Sequence, residues 1–145
     1  MTFTAHVLDV LPGTFAICRL PGDAPLPGWC DLLPFCSISR TQDELSIICG
    51  ANVVPDTITA DRGWIAFRVR GPFALTEVGV LARLAAPLAT AGISIMAIST
   101  FDTDYILVKD DSLNRAISAF EAAGHEIRER RPHGATDITP AVSND

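Results

Sequence analysis

The stretch GISIMAISTFDTDYILVKDD, residues 92–111, decides the fold. Its two apolar runs, residues 93–98 and 105–108, predict two strands that are buried on most of both faces. Between them, residues 101–104 predict a turn, because Asp and Thr side chains can hydrogen-bond to their own backbone. One helical pattern precedes this pair and another follows it, so we interpret the pair as the centre of a larger unit.

The second half of the chain reads strand, helix, strand, strand, helix, strand. A strand follows Gly63, with Ile65, Phe67 and Val69 on one face. Thr76 is the predicted N-cap of the first helix, and Gly92 is its predicted stop. The second helix ends at Gly124, and a polar strand at a sheet edge follows it. This order predicts an α+β fold, a ferredoxin-like βαββαβ unit with both helices on one face of an antiparallel sheet.

The first half is a weaker, shorter repeat of the same plan. Residues 38–48 align without gaps on residues 98–108, and residues 13–20 resemble residues 63–70. The prolines between residues 21 and 34 predict that the first helix of this repeat is shortened. We therefore predict two such units side by side.

The repeat also leads to more detailed expectations. Strands are predicted at residues 5–10 and 14–20, joined as a hairpin, with residues 57–63 linking the two halves. The first unit lacks an obvious fourth strand, and residues 5–10 are the candidate to fill that place. The predicted division is 1–62 for the degenerate unit, 63–130 for the second unit and 131–145 for a flexible tail.

Composition narrows the classes of function. The chain has 145 residues, is 48% hydrophobic and carries a net charge of −6 with a pI of about 4.9. An acidic chain is a poor partner for nucleic acid, whose phosphates need a basic surface. No apolar run reaches the roughly 20 residues that span a bilayer, and residues 1–10 do not resemble a secretory signal. We expect a cytoplasmic protein with neither a membrane nor a nucleic-acid partner.

The four cysteines lie in the first third of the chain, at positions 18, 30, 36 and 49. They form no C-x-x-C pair, so we expect no metal site and no cofactor. Cys18 and Cys49 fall in apolar runs, where a free thiol behaves as a small core residue. The alternative is a redox or metal role, for which Cys30 and Cys36 are the more accessible candidates.

The second half, and above all ISTFDTDYILV at residues 98–108, resembles the ACT domain. The GPF turn at residues 71–73 and the helix start at residues 77–80 carry the resemblance further. The pattern is most similar to small bacterial tandem-ACT proteins and to the CASTOR-type cytosolic arginine sensors of animals. The resemblance covers residues 13–130, strongly from residue 63 onward. It implies a regulatory module that binds amino acids at seams between units and is not an enzyme.

The resemblance places Glu77, Thr100, Phe101 and Asp104 in a ligand pocket. The chemistry of an amino acid fits this placement: its carboxylate suits free N–H groups at a helix start, and a cationic group suits Glu77 and Asp104. The full set of predicted ligand-binding residues is Phe73, Ala74, Leu75, Glu77, Val80, Thr100, Phe101 and Asp104.

Several of these residues, together with Asp102 and Trp64, also have a structural alternative. Asp102 and Asp104 suit a turn, Glu77 suits the first turn of a helix, and Thr100 suits an ordinary strand. Phe73 and Trp64 are also typical core residues. An enzyme is disfavoured, because no nucleophile stands beside a base in any motif and no glycine loop could cradle a phosphate.

We therefore expect a regulatory protein that senses a small amino acid at the seam between units. The two carboxylates favour a cationic ligand. The alternative is a ligand-free assembly or adaptor module that uses its sheet edges to form oligomers. The expected partners are the amino acid, a second copy of the chain in a homodimer, and a protein partner that the sequence does not name.

Overall fold

The computed structural model describes residues 4–30 and 33–129, so the predicted tail at 131–145 lies outside the described residues. The described strands are β1 (Val7–Val10), β2 (Phe15–Pro21), β3 (Ser37–Arg40), β4 (Glu44–Gly50), β5 (Thr59–Val69), β6 (Met96–Ser99), β7 (Asp104–Lys109) and β8 (Glu126–Glu129). The helices are α1 (Val80–Thr90) and α2 (Leu113–Ala122), and 3-10 turns span Ala51–Val53 and Asp110–Ser112. Neither helix is long and apolar enough to cross a membrane, and the same holds throughout the described residues.

The central strand pair is confirmed. β6 and β7 pair antiparallel, with Ser99 opposite Asp104 across the predicted turn. β7 is buried on both faces as expected, since Ile106 and Leu107 have no exposed surface. β6 differs from the prediction: Ala97 and Ser99 are exposed. The physical reason is that β6 lies at the edge of the sheet and pairs with β7 alone among the described strands.

The predicted order of the second unit and its two helices on one face are also confirmed. Apolar side chains of α1 and α2 pack on one face of the sheet and form a buried core with the inward residues of β1, β5 and β7. The fully buried members of this core include Leu8, Phe67, Val69, Leu84, Leu88, Ile106, Val108, Ala116 and Phe120. Gly92 ends α1 with a φ of 72°, a left-handed conformation that glycine adopts without strain.

The predicted hairpin between the first two strands is wrong. β1 and β2 both run antiparallel to β5 and follow one another along the same side of it, with Leu8 opposite Val69 and Phe15 opposite Trp64. The N–H of Leu11 donates to the carbonyl of Ala66 at 2.9 Å, so the connection stays on β5 instead of turning back. β1 is thereby inserted between β5 and β8 and pairs parallel with β8.

The predicted linker at residues 57–63 is also wrong in its second part, because β5 begins at Thr59 and runs through Gly63 without a break. The first part of β5 pairs with β2 and supplies the fourth strand of the first unit. Residues 5–10 therefore do not fill that place. The two units share one strand, and the predicted division between residues 62 and 63 falls inside it. Of the first unit's helices, the second is reduced to the 3-10 turn Ala51–Val53.

The seam between the two units of this chain is closed by packed side chains. Phe35 stacks on Tyr105 with ring centroids 4.2 Å apart, which joins the first unit to β7. The buried core of this seam consists of Leu11, Phe15, Phe35, Ile48, Trp64, Ala66 and Leu107. Trp64 is thus a core residue, as its alternative reading predicted.

A buried ion pair holds β1 against β5. The Asp9 side chain is 3% exposed and accepts two hydrogen bonds of 2.9 Å from Arg70 and one of 3.2 Å from Arg68. The bonds from Arg70, helped by Arg68, hold the pKa of Asp9 below its usual range, although burial opposes this shift. The same inserted strand brings His6, which precedes it, beside α1.

Candidate functional site

One wall of the candidate site is the segment that leads into α1. The predicted N-cap at Thr76 is wrong, because α1 begins four residues later, at Val80. The N–H of Glu77 instead donates to the carbonyl of Ala74 at 2.9 Å, which closes a separate turn before the helix. Gly79 then takes a left-handed conformation with a φ of 85°, which allows the chain to enter the helix sharply.

The start of α1 presents hydrogen-bond donors to the site. The first intrahelical bond of this helix runs from the N–H of Arg83 to the carbonyl of Gly79. The N–H groups of Val80, Leu81 and Ala82, which precede Arg83 in the first turn of α1, have no acceptor within the helix, as at every helix start. Val80, Leu81 and Ala82 all line the cleft described below. A negatively charged group is therefore favoured at this end of the cleft.

The opposite wall is the turn between β6 and β7. The N–H of Thr100 donates to the carbonyl of Thr103 at 2.8 Å, and the Thr100 hydroxyl donates to the same carbonyl at 3.0 Å. The two walls are joined where the N–H of Phe73 donates to the carbonyl of Asp102 at 2.8 Å. Gly71 permits this approach, because a Cβ there would stand 2.8 Å from the same carbonyl oxygen. This hydrogen bond holds the two walls together at the base of the cleft.

A cleft of about 360 Å³ lies between these walls. The structure brings every predicted ligand-binding residue to its lining: Phe73, Ala74, Leu75, Glu77, Val80, Thr100, Phe101 and Asp104. The prediction did not include the other lining residues, which are Gly79, Leu81, Ala82, Ser99, Asp102 and Thr103. All of these belong to the second unit, so the cleft does not lie at the seam within this chain.

The charge of the cleft is negative. Glu77, Asp102 and Asp104 line it, and no Lys or Arg does so among the described residues. Ser99 donates its hydroxyl proton to Asp104 at 2.6 Å, which fixes the orientation of that carboxylate. Glu77 is exposed on the helix side, whereas Asp104 is half-buried on the strand side. The cleft therefore offers N–H donors to an anion and carboxylates to a cation.

The rim of the cleft is apolar and exposed. Phe101 and Leu75, which line the cleft, have 79% and 71% of their surface exposed, and Val78, which stands between the lining residues Glu77 and Gly79, has 84% exposed. Phe101 is thus free to cover the aliphatic part of a ligand, while the hydroxyl of Thr100 is engaged within its own turn. Phe73 combines both readings, because it lines the cleft and also packs on the core beneath the helices.

A histidine pair, His6 and His125, lies behind the cleft and was not predicted as part of a site. Both residues are 5% exposed. The Nε of Arg83 donates to Nε2 of His6 at 3.2 Å, and the His6 ring meets Phe73 edge-on at 5.5 Å between centroids. No sequence signal identifies this contact, because Arg83 follows His6 by 77 positions.

The cysteines lie in a separate core in the first unit. Cys18 and Cys49 are buried there, and Cys30 and Cys36 pack on it half-buried. Burial raises the pKa of the Cys49 thiol to about 12. Among residues 4–30 and 33–129, no group of three or more His, Cys, Asp or Glu side chains is arranged to hold a metal ion.

Known proteins share the fold described above. Residues 59–122 match the family model described as the ACT domain. A solved structure from Agobacterium tumefaciens is 36% identical, superposes with a TM-score of 0.86, and is matched over 92% of this chain and 100% of its own. The chain belongs to the ACT-domain family. A separate model, for an N-terminal domain, matches residues 13–57, which lie in the degenerate unit of this ACT protein.

This ACT protein is also similar to a named arginine sensor and to a regulatory subunit of an enzyme. The Homo sapiens protein named cytosolic arginine sensor for mTORC1 subunit 1 is 38% identical over 110 residues, which cover 70% of this chain and 31% of that relative. The chain thus spans about a third of the length of the curated relatives it matches. The regulatory subunit of aspartate kinase from Thermus thermophilus shares the fold, with a TM-score of 0.56 and 10% identity over 81% of this chain and 96% of its own.

Proposed function

We propose that this ACT protein is a regulatory sensor that binds a free amino acid in the cleft between the start of α1 and the β6–β7 turn. The observation that carries the proposal is the pairing of opposite chemistries across one cleft. The helix start offers N–H donors to a carboxylate, and Glu77 and Asp104 offer negative charge to a cation. A free amino acid carries both groups on one small molecule.

The negative lining favours an amino acid with a cationic side chain. A unit charge about 4 Å from a carboxylate gains up to roughly 4 kcal/mol at an effective dielectric near 20, before desolvation is subtracted. That gain is large enough to select a cationic ligand over a neutral one of the same shape. The arginine-sensing relative named above supports the same class of ligand.

The cleft opens outward from the second unit, and its lining residues all come from that unit. Since the seam within the chain is filled, a seam at this cleft requires a unit from outside the chain. A second copy in a homodimer would supply one. Ligand binding at that seam would then change association with a protein partner through its different affinity for two states.

The test is a thermal-shift screen of the purified protein against the twenty amino acids at millimolar concentration. A ligand that binds only the folded state raises the melting temperature by mass action. L-arginine is expected to raise it, and L-citrulline, which has a similar shape but a neutral side chain, is expected to raise it much less. An equal rise with both would refute the selection of a cation.

Variants then test the residues. Glu77→Gln and Asp104→Asn are each expected to weaken L-arginine binding roughly tenfold or more in calorimetry, since each removes one charge near the ligand. Asp56→Asn, which alters an exposed carboxylate in the first unit, is the matched control and should bind as the wild type does. Unchanged binding by Asp104→Asn would refute the proposed site.

Assembly without a ligand is the second candidate function. The observation in its favour is the exposed apolar rim formed by Leu75, Val78 and Phe101, since such patches commonly mark interaction sites. No thermal shift with any amino acid, together with an oligomer that Phe101→Ser dissociates in sedimentation velocity, would favour this function over sensing.

A further inference from the structure

The buried histidine pair and the half-buried Arg83 form a polar cluster directly behind the cleft wall. His6 precedes β1, His125 precedes β8, and Arg83 lies in the first turns of α1. The cluster does not line the cleft. Three elements that are distant in sequence thus meet at one point beside the proposed ligand site.

The hydrogen-bond pattern requires both imidazoles to be neutral. A guanidinium N–H and a backbone N–H can only donate. Nε2 of His6 must therefore accept from Nε of Arg83, and Nδ1 of His125 must accept from the backbone N–H of His6, at 3.2 Å and 3.1 Å. A protonated imidazole has no acceptor nitrogen, so protonation would break each contact and would place two cations, His6 and Arg83, side by side.

Two contacts connect this cluster to the cleft wall. The His6 ring meets Phe73, which lines the cleft. Nη1 of Arg83 donates to the carbonyl of Val78 at 3.3 Å and lies 3.0 Å from where a Cβ on Gly79 would stand. Gly79 also lines the cleft. The protonation state of His6 therefore affects the contacts at both ends of the wall segment, at Phe73 and at Gly79.

The charged groups around His6 act on its pKa in both directions. Burial lowers its pKa, and Arg83 and His125 lower it further, whereas the carboxylates of Glu77 and Asp104 favour its charged form. Burial also lowers the pKa of His125. The two carboxylates whose charge favours a protonated His6 are the same two that are proposed to hold the cationic ligand, so a proton on His6 and a cation in the cleft compete for their charge.

We propose that His6 and Arg83 make the cleft proton-sensitive: Arg83 is a positioning residue that holds the rim at Val78 and Gly79 while His6 is neutral, and a proton on His6 opposes a cationic ligand. This inference rests on the proposed function and adds its regulation. Reciprocity requires that a ligand which disfavours the protonated histidine is itself bound less tightly in acid.

Calorimetry with L-arginine at pH 7.5 and pH 5.5 measures this coupling. The affinity of the wild type is expected to fall at pH 5.5, by less than the roughly tenfold that an unshifted histidine would give, because burial, Arg83 and His125 lower the pKa of His6 while L-arginine keeps its charge. In His6→Gln the side-chain amide still offers Arg83 an acceptor but does not titrate, so the ratio of the two affinities should approach one. Arg19→Met, an exposed arginine of the first unit, is the control and should keep the wild-type ratio.

A second measurement needs no ligand. The pKa of His6, followed by NMR of the imidazole in the free protein, should fall when Glu77→Gln and Asp104→Asn are combined, because both charges that favour its protonated form are lost. An unchanged pKa in this double variant, or an affinity ratio in His6→Gln equal to that of the wild type, would overturn the inference. Absence of L-arginine binding at both pH values, with the NMR response intact, would overturn the proposed ligand and leave the coupling of His6 to the cleft supported.

Discussion

Replacing Asp9 with alanine tests how the inserted strand is held. The Asp9 carboxylate is 3% exposed and accepts three hydrogen bonds from Arg68 and Arg70. Breaking a buried ion pair typically costs about 3–5 kcal/mol, because the remaining charge is left buried without a partner. Here the two arginine side chains are 41% and 48% exposed, so water can rehydrate them and the cost is lower. We expect Asp9→Ala to lower the free energy of unfolding by about 2–4 kcal/mol.

Urea unfolding followed by far-UV circular dichroism measures this loss, and the melting temperature should fall by about 10 °C. Asp61→Ala is the control: Asp61 pairs with one cation, Lys109, and accepts a hydrogen bond from the Trp64 indole, but its side chain is 59% exposed. Its effect should be much smaller, since exposed ion pairs contribute little to stability. If the two substitutions destabilise the protein equally, burial of the Asp9 pair is not what holds β1 in the sheet.

The remaining predictions concern acid stability, the base of the cleft and the thiol core. Burial lowers the pKa of both members of the histidine pair below 6.5, so below that pH the unfolded chain binds protons that the folded chain does not. The free energy of unfolding, measured with urea at pH 7.5 and 5.5, should therefore be lower at pH 5.5. An equal or higher value at pH 5.5 would contradict the burial of neutral histidines. Gly71→Ala should destabilise the protein by about 1–3 kcal/mol, because its new Cβ would stand 2.8 Å from a backbone oxygen of the facing turn, whereas Gly28→Ala, with nothing within 4 Å, should be nearly neutral in the same urea assay. Cys49, whose pKa burial raises to about 12, should resist iodoacetamide at pH 8 in the native protein while half-buried Cys30 reacts faster; peptide mass mapping that finds both labelled at equal rates would contradict the core packing.

Local patterns were sufficient for much of the second unit. The alternation of Ile65, Phe67 and Val69 predicts one buried strand face, and the structure packs all three against the helices. The turn at residues 101–104 and Gly92 were also correctly predicted, because turn chemistry and helix ends depend on neighbours in sequence. The start of α1 was missed, since the turn closed by Ala74 and Glu77 competes with Thr76 for the role of helix start.

Most of the cleft lining could be predicted because the order of elements in the second unit already fixes which segments meet. In a βαββαβ unit the start of the first helix and the turn between the second and third strands lie at the same end of the sheet. The resemblance to the ACT domain identified the residues at both places, and the structure brings them together around one cleft. Whether they bind a ligand remains the proposal that the calorimetry of Asp104→Asn tests.

The sequence by itself determined most of the elements, the buried faces of β5 and β7, and the acidic character of the cleft, because these follow from the identity and spacing of neighbouring residues. Only the tertiary structure decided that β1 enters between β5 and β8, that the two units share β5, and that His6 meets Arg83 behind the cleft. These features depend on hydrogen bonds and an ion pair between residues about 40 or more positions apart, such as Phe15 and Trp64 or Asp9 and Arg70. Short-range periodicity carries no information on such pairings, since many partners of equal polarity and hydrophobicity are available until the whole chain packs.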